Sequence, residues 1–388
     1  GLYATTMGDC KIMIDKYSAT DPAYAGIAQI LMALNLGIAT DLWGDVPYSE
    51  AFQGQNGVFT AKYDAQADVI ASIQSLLDQG IANLAKPDNI DIPGSDDLYY
   101  GGLADKWIKA AWTLKARYAN RVSLKDPNSA ANVLAYLANG ITNPADNMEN
   151  PHPAATNTQN QWGAFAQQAF GYMVANKFFI DALMDPAHPT DATKYDPRLD
   201  YYFRQDTADY NKAPLTTSKY TGSDIADEIG NPDASTVGKY FGYLGPDSDL
   251  VAKNFPVITS FEASFLAAEA KSRLGQDASA DLNAGIKASV KYVTGGANDG
   301  SSIATYTQAT ATLTNIMTQK WIAMFGQIEA YNDVRRTGIP VLQVRPGSAG
   351  AKPGGIPQRL PTPQNEIDGN PANAKVIPLT TPVWWATH

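Results

Sequence analysis

Glu329 and Asp333 stand four residues apart, a spacing that sets two carboxylates on one face of a helix. Two acids flanking a glycosidic bond can hydrolyse it, one as proton donor and the other as nucleophile or base. Arg335 and Arg336 follow at once, so an ion-pair network closing the helix end is the simpler account. Asp96-Asp97 comes after the turn residues Pro93-Gly94 and reads as a solvated pair. The three histidines, His152, His188 and His388, lie far apart and two of them precede proline, which gives zinc no close ligand pair. Asp247 and Asp249 begin the alternation of a calcium loop, and Val251 breaks it. The sequence carries no nucleophile elbow, phosphate loop, dinucleotide fingerprint or His-Glu-x-x-His. No catalytic residue, metal or cofactor is expected.

Aromatic residues in polar surroundings point to binding instead. A sugar ring offers an apolar C–H face rimmed by hydroxyls, which Trp or Tyr can stack on while amides and charged groups read the rim. Trp162, with Asn157, Gln159 and Asn160 just before it, has this composition. So does Tyr240-Phe241-Gly242-Tyr243, near Lys239 and Asp247. Trp162, Asn160, Tyr240, Tyr243 and Tyr202 are therefore the candidate ligand contacts. Phe165, Phe170, Phe178 and Phe179 are assigned to the core of one helix over 161–184.

The elements that must position these side chains read as amphipathic helices. Asp21-Pro22 is a cap and first-turn proline, followed by Ile27, Ile30, Leu31, Leu34 and Ile38 at helical spacing. Further stripes run through Val69, Ile73, Leu76, Leu77, Ile81 and Leu84, then through Leu103, Trp107, Ala110, Leu114 and Tyr118. A shorter helix over 130–137 stops at Gly140. Later helices are predicted at 260–274, 279–293 and 308–326. Small residues Ala263, Ala267 and Ala270 and a Leu274-Gly275 stop suggest a helix–turn–helix hairpin of tetratricopeptide type, without a strict repeat. Between the helices, 140–160, 186–258 and 339–383 are rich in Pro, Gly, Asn, Asp and Tyr. Their aromatics argue for ordered excursions with a few short strands.

The chain has 388 residues, 44% of them hydrophobic, enough for a sizeable core. A formal charge of −10 disfavours nucleic acid and anionic lipid as partners. Cys10 is the one cysteine, which excludes an internal disulfide and reads as a buried thiol. The apolar stretch 27–39 contains Gln29 and Asn35 and is too short to cross a bilayer. The start at Gly1-Leu2-Tyr3 reads as the middle of a helical pattern, so a longer chain is expected upstream.

One segment makes the reading specific. An amphipathic helix running into Asp41-Leu42-Trp43-Gly44-Asp45-Val46-Pro47-Tyr48 resembles the hallmark of the SusD/RagB family. Other stretches agree in order: Asp196-Pro197-Arg198-Leu199, then Phe261-Glu262-Ala263 through Arg273-Leu274-Gly275, then Gln319 to Phe325, then Glu329 to Pro340 with Arg335-Arg336-Thr337-Gly338. A partial match follows in Leu360-Pro361-Thr362-Pro363 to Glu366 and Asn370. Trp43, Gly44, Asp45, Pro47, Arg335 and Arg336 are scaffold residues of this pattern. The resemblance implies a mainly α, tetratricopeptide-like SusD fold with long loop excursions, as a single domain over 1–388. In it, the scaffold would occupy about 20–140 and 259–340, a loop-rich candidate ligand-binding region about 140–258, and an irregular tail 341–388. It further implies a surface lipoprotein without catalysis that captures oligosaccharide or polysaccharide and hands it to a SusC-like TonB-dependent transporter in the outer membrane. Membrane attachment would be through a lipid anchor upstream of this sequence. Capture of peptide is the alternative; a purely structural transporter lid or a glycoside hydrolase fits less well. The family's ligand aromatics lie in variable loops, so the resemblance transfers no binding residue.

Overall fold

A computed structural model describes residues 1–154, 157–169, 172–183, 195–204, 220, 222–224, 235, 237–244, 249–342 and 355–387. Phe170, His188, Asp247 and His388 lie outside them.

The first half is a stack of antiparallel helices: α1 (Gly8–Tyr17), α2 (Pro22–Trp43), α3 (Gln66–Leu84), α4 (Ala104–Arg121) and α5 (Ser129–Leu137). A π-helical turn, Leu2–Met7, runs directly into α1. Pro22 occupies the first turn of α2, where its missing N–H has no partner to lose. The length and composition of α2 would suffice for a bilayer span, but 72% of its most apolar window is buried against neighbouring helices. Its residues Ile27, Ile30, Leu34 and Leu36 pack with Val69, Ile73, Leu77, Trp107 and Tyr118 in one continuous core that also takes in Cys10. At roughly 25 cal/mol per Å² of apolar surface removed from water, such stripes are what hold helices of ordinary propensity together.

Two short strands, β1 (Met148–Asn150) and β2 (Phe255–Ile258), pair antiparallel, with Met148 opposite Ile258. Between them run α6 (Gln161–Gln168), α7 (Lys177–Leu183) and the single turn α8 (Leu199–Tyr202). The helix expected over 161–184 is thus two helices. The backbone leaves helical geometry at Ala169 (φ −127°, ψ 58°), and Asn176 starts afresh by accepting the Phe178 N–H at 2.9 Å. A glycine at 171 in the intervening sequence disfavours a continuous helix.

The second half holds the α9 (Ser260–Arg273) and α10 (Ser279–Val293) hairpin, α11 (Leu313–Ala323), α12 (Ile328–Thr337) and the short α13 (Gln364–Gly369). Thr259 caps α9 by accepting from Glu262 N, and Thr312 caps α11 by accepting from Asn315 N. The threonine cap explains why α11 begins at 313 rather than 308. Ala270 and Leu266 of α9 meet Ala116, Ala119 and Ala130, so α9 joins the hairpin to α4 and α5.

Between these halves lies a buried ionic layer. Arg117 pairs with Glu262, Arg121 reaches Asp41 at 3.1 Å and Glu329 at 2.5 Å, and Lys320 meets Asp333 at 2.8 Å. Arg336 binds Glu269 at 2.5 Å and Asp333 at 2.8 Å. Glu329 and Asp333 therefore belong to an ion-pair network; of the arginines that follow them Arg336 joins it, through Asp333, while Glu329 is held by Arg121. The Trp43-Gly44-Asp45-Val46-Pro47 turn is fixed by the same logic of partners. Gly44 has φ +84° and ψ −118°, a conformation strained for any residue with a side chain. Asp45 accepts from Gln66 N at the start of α3, and Pro47 O accepts from the Tyr3 hydroxyl. Trp43 donates to Pro361 O, and Arg335 donates to Gln358 O, so the C-terminal segment is strapped over the helices.

Candidate functional site

A cleft of about 730 Å³ opens between α6, α7 and α11. It lies within the size range of sites that hold small ligands. Its floor is apolar: Phe179, Phe203 and Phe325 pack on one another, with ring centroids 4.8 to 5.9 Å apart. Above them, larger aromatic side chains line the opening. Trp321 of α11 leans edge-on against Phe178 (5.8 Å) and Phe179 (4.7 Å). Trp162 of α6 lies tilted on Phe241 at 5.6 Å and stays 42% exposed. Tyr172, between α6 and α7, is 83% exposed. Preorganised rings of this kind can accept the C–H face of a pyranose without first being ordered, which lowers the entropy cost of binding.

Polar groups gather at one edge. Asn176, Lys177, Asp181 and Asp224 line the cleft there. Lys177 binds Asp181 at 2.5 Å, one helical turn away. The hydrogen bond to Asp181, helped by the charges of Asp181 and Asp224, holds the Lys177 ammonium above its ordinary pKa.

Of the residues expected to touch ligand, Trp162 lines this cleft. Asn160 does not present its amide there: it is buried, its Oδ1 caps α6 by accepting from Trp162 N at 3.1 Å, and its Nδ2 faces Lys253 O. It positions the indole rather than reading a hydroxyl. Tyr202, Tyr240 and Tyr243 require correction. All three are buried, so none exposes a ring face to a solvent-borne sugar. Tyr202 packs on Tyr240 at 5.0 Å and on Phe325 at 4.6 Å and donates to Ile322 O; Tyr243 lies under the Arg204 guanidinium. Their loops fold inwards because the loop rings supply the core of this region in place of helical stripes. Phe165 is the reverse case, assigned to the core and found 47% exposed.

Trp321, Phe178 and Tyr172 line the cleft as well, although Trp321 belongs to a scaffold motif and Phe178 to a stripe expected in the core. A glycine between aromatic residues, Phe170-Gly171-Tyr172, was the available signal that the helix breaks and projects a ring. Among the described residues no group of three or more His, Cys, Asp or Glu side chains is gathered as a metal would need.

Comparison with known proteins agrees with this architecture. The family SusD-like_2, described as starch-binding and associating with the outer membrane, matches residues 1–363. No curated protein matches the chain. A solved structure named as a chitin-binding protein is 26% identical with a TM-score of 0.79, over 100% of this chain and 87% of that one. A chitin-binding SusD homologue from Flavobacterium johnsoniae is 23% identical with a TM-score of 0.80, over 100% of this chain and 85% of its own. A SusD/RagB family protein from Bacteroides thetaiotaomicron is 24% identical with a TM-score of 0.72, over 99% and 86%. The last two speak for the fold. Matched along nearly its whole length and sharing the helical scaffold, the chain belongs to the SusD/RagB family, whose members bind carbohydrate and associate with the outer membrane.

Proposed function

We propose that this protein captures oligosaccharides of the β-1,4-linked N-acetylglucosamine type in the cleft between α6, α7 and α11, and delivers them to a SusC-like TonB-dependent transporter without chemical change. The observation that carries the reading is the ring set Trp162, Tyr172, Phe178 and Trp321 around one apolar hollow. The 26% identical relative named as a chitin-binding protein supports the choice of sugar. A lipid anchor on the outer face of the outer membrane is the setting this role requires.

The test is calorimetry of the purified protein with chito-oligosaccharides, together with chromatography of the mixture after long incubation. Saturable binding with the oligosaccharide recovered intact supports the reading. Shortened products would make the protein a hydrolase. Absence of binding to these and other neutral glycans, with binding to peptides, would transfer the cleft to a peptide ligand.

A further inference from the structure

Asn176 stands immediately before α7 and lines the cleft together with Phe178. Its backbone is fixed from both sides. Ser223 pairs with it in a parallel bridge, accepting from Lys177 N at 2.9 Å and donating its own N–H to Ala175 O at 2.8 Å. The two segments approach so closely that a Cβ on Gly222 would lie 2.2 Å from Lys177 Cα. On the helix side, Asn176 O accepts from Phe179 N and Ile180 N, each at 3.1 Å.

The side chain is fixed as well, and the manner of its fixing decides its chemistry. The Phe178 N–H is a donor, so the amide atom that meets it at 2.9 Å has to be the oxygen. The other end of the amide is then the NH2 group, which donates and does not accept. Asn160 caps α6 in the same way, but its NH2 group faces Lys253 O and is used inside the fold. Asn176 is exposed, and its Nδ2 makes no hydrogen bond among the described residues.

We infer that Asn176 reads the acetamido group of the captured glycan, donating from Nδ2 to its carbonyl oxygen. The inference rests on the reading of the cleft as a glycan site. The acetamido group of a β-1,4-linked N-acetylglucosamine unit is equatorial. The C–H face of the ring can therefore lie on Phe178 and Trp321 while the carbonyl projects from the rim. An amide carbonyl is a strong acceptor and matches a group that only donates. A hydroxyl at the same carbon holds its oxygen closer to the ring, and a protonated amine there offers no acceptor at all. Because Nδ2 is held before the ligand arrives, the bond forms without ordering a free side chain. The Phe178 N–H is already taken by Oδ1, so the donor is the side chain and not the helix end.

The experiment measures by calorimetry the affinities of two β-1,4-linked tetramers, one of N-acetylglucosamine and one of glucose, which differ only in the substituent at C2. The wild type should prefer the N-acetylated tetramer. Asn176→Ser and Asn176→Asp both keep an oxygen that caps α7, and both remove the amide donor. One is neutral and the other charged, so a change shared by the two reports the donor. Each should bind the N-acetylated tetramer about three- to tenfold more weakly, the worth of one hydrogen bond, and the glucose tetramer with affinity nearly unchanged. Equal weakening of both tetramers would show that Asn176 acts by holding α7 and Phe178, and would overturn the acetamido assignment. A wild type that does not prefer the N-acetylated tetramer, or an Asn176→Ser variant that binds it as the wild type does, overturns it too. In each of these cases glycan capture stands. Failure of the wild type to bind either tetramer overturns the glycan reading of the cleft, and this inference with it.

Discussion

Arg117 and Glu262, 145 positions apart in the chain, meet through two parallel hydrogen bonds, Nε to Oε1 and Nη2 to Oε2, each 2.6 Å long and buried. The fork geometry of a guanidinium matches a carboxylate in this way and no lysine could replace it. Arg117 also donates to Val257 O at the end of the small sheet. The pair therefore registers α4, α9 and β2 together.

Removing one partner is much more damaging than removing both. Glu262→Gln leaves a buried guanidinium without its counter-charge and should destabilise the fold by roughly 3–5 kcal/mol. Arg117→Met combined with Glu262→Met should recover most of that loss. Denaturant unfolding of the single and double variants measures it, and additive losses in the double variant would refute the coupling.

The acids of the ionic layer respond to pH in opposite directions. Burial, opposed by Arg121 and reinforced by Glu329, pushes Asp41 up to about 6. Burial also opposes the charge of Asp333, but Lys320 and Arg336 win there and hold it well below the usual range. A raised acid binds more protons folded than unfolded, so the Asp41 contribution to stability falls as pH rises from about 4 to 6. Asp333 contributes stability that is fully present above its unfolded value and is lost as pH falls towards its folded one. Over pH 2 to 7, Asp41→Asn should consequently gain on the wild type as pH increases from about 4 to 6, whereas Asp333→Asn should lose as pH increases from about 2 to 4 and run parallel to the wild type above that. Thermal unfolding across that range checks both slopes; parallel curves for the two variants would sink the assignment.

Trp321 and Tyr240 separate ligand contact from core packing. Trp321→Ala should weaken chito-oligosaccharide binding by about tenfold or more, as loss of a central aromatic contact does. Tyr240 is buried and its hydroxyl has no hydrogen-bond partner among the described residues. Tyr240→Phe removes that unpaired group, so affinity should stay unchanged and stability should stay level or rise by up to about 1 kcal/mol. A loss of binding on Tyr240→Phe would restore this residue to the site.

The helical scaffold was legible because its stripes repeat at helical spacing and its ends carry proline and glycine signals. The 279–293 helix falls on those very residues, and Arg336 pairs with Asp333 as their spacing indicated, whereas Glu329 finds its partner in Arg121, far off in sequence. The cleft was legible only through Trp162. Loop aromatics have no period, and a glycine stands near the buried Tyr240 and Tyr243 as it does near the projecting Tyr172, so that local signal alone does not tell them apart. What decides is long-range: Tyr202, Tyr240 and Phe325 come from three separate segments and meet only after folding. Burial of a loop ring is a property of the assembled fold rather than of its neighbours in sequence.

Gly44 tests the turn by which the family was recognised. Its φ of +84° lies where side-chain-bearing residues are strained, and Arg359 Nη1 would stand 3.5 Å from a Cβ placed there. That contact is tolerable, so the cost of Gly44→Ala is conformational, of order 1–3 kcal/mol. The turn also aligns Thr40, whose hydroxyl donates to Gly44 O at 2.6 Å, and Trp43, whose carbonyl accepts from Arg359 at 3.1 Å. Arg359 in turn donates to Thr381 O and Pro382 O, which places Trp385 between Arg121 and Arg335. A strained residue 44 should therefore loosen the C-terminal strap before the helices unfold. Hydrogen exchange should show faster opening of 379–387 in Gly44→Ala, with protection of α9 and α10 retained. Uniform loss of protection across the chain would instead show that the strap and the scaffold open as one unit.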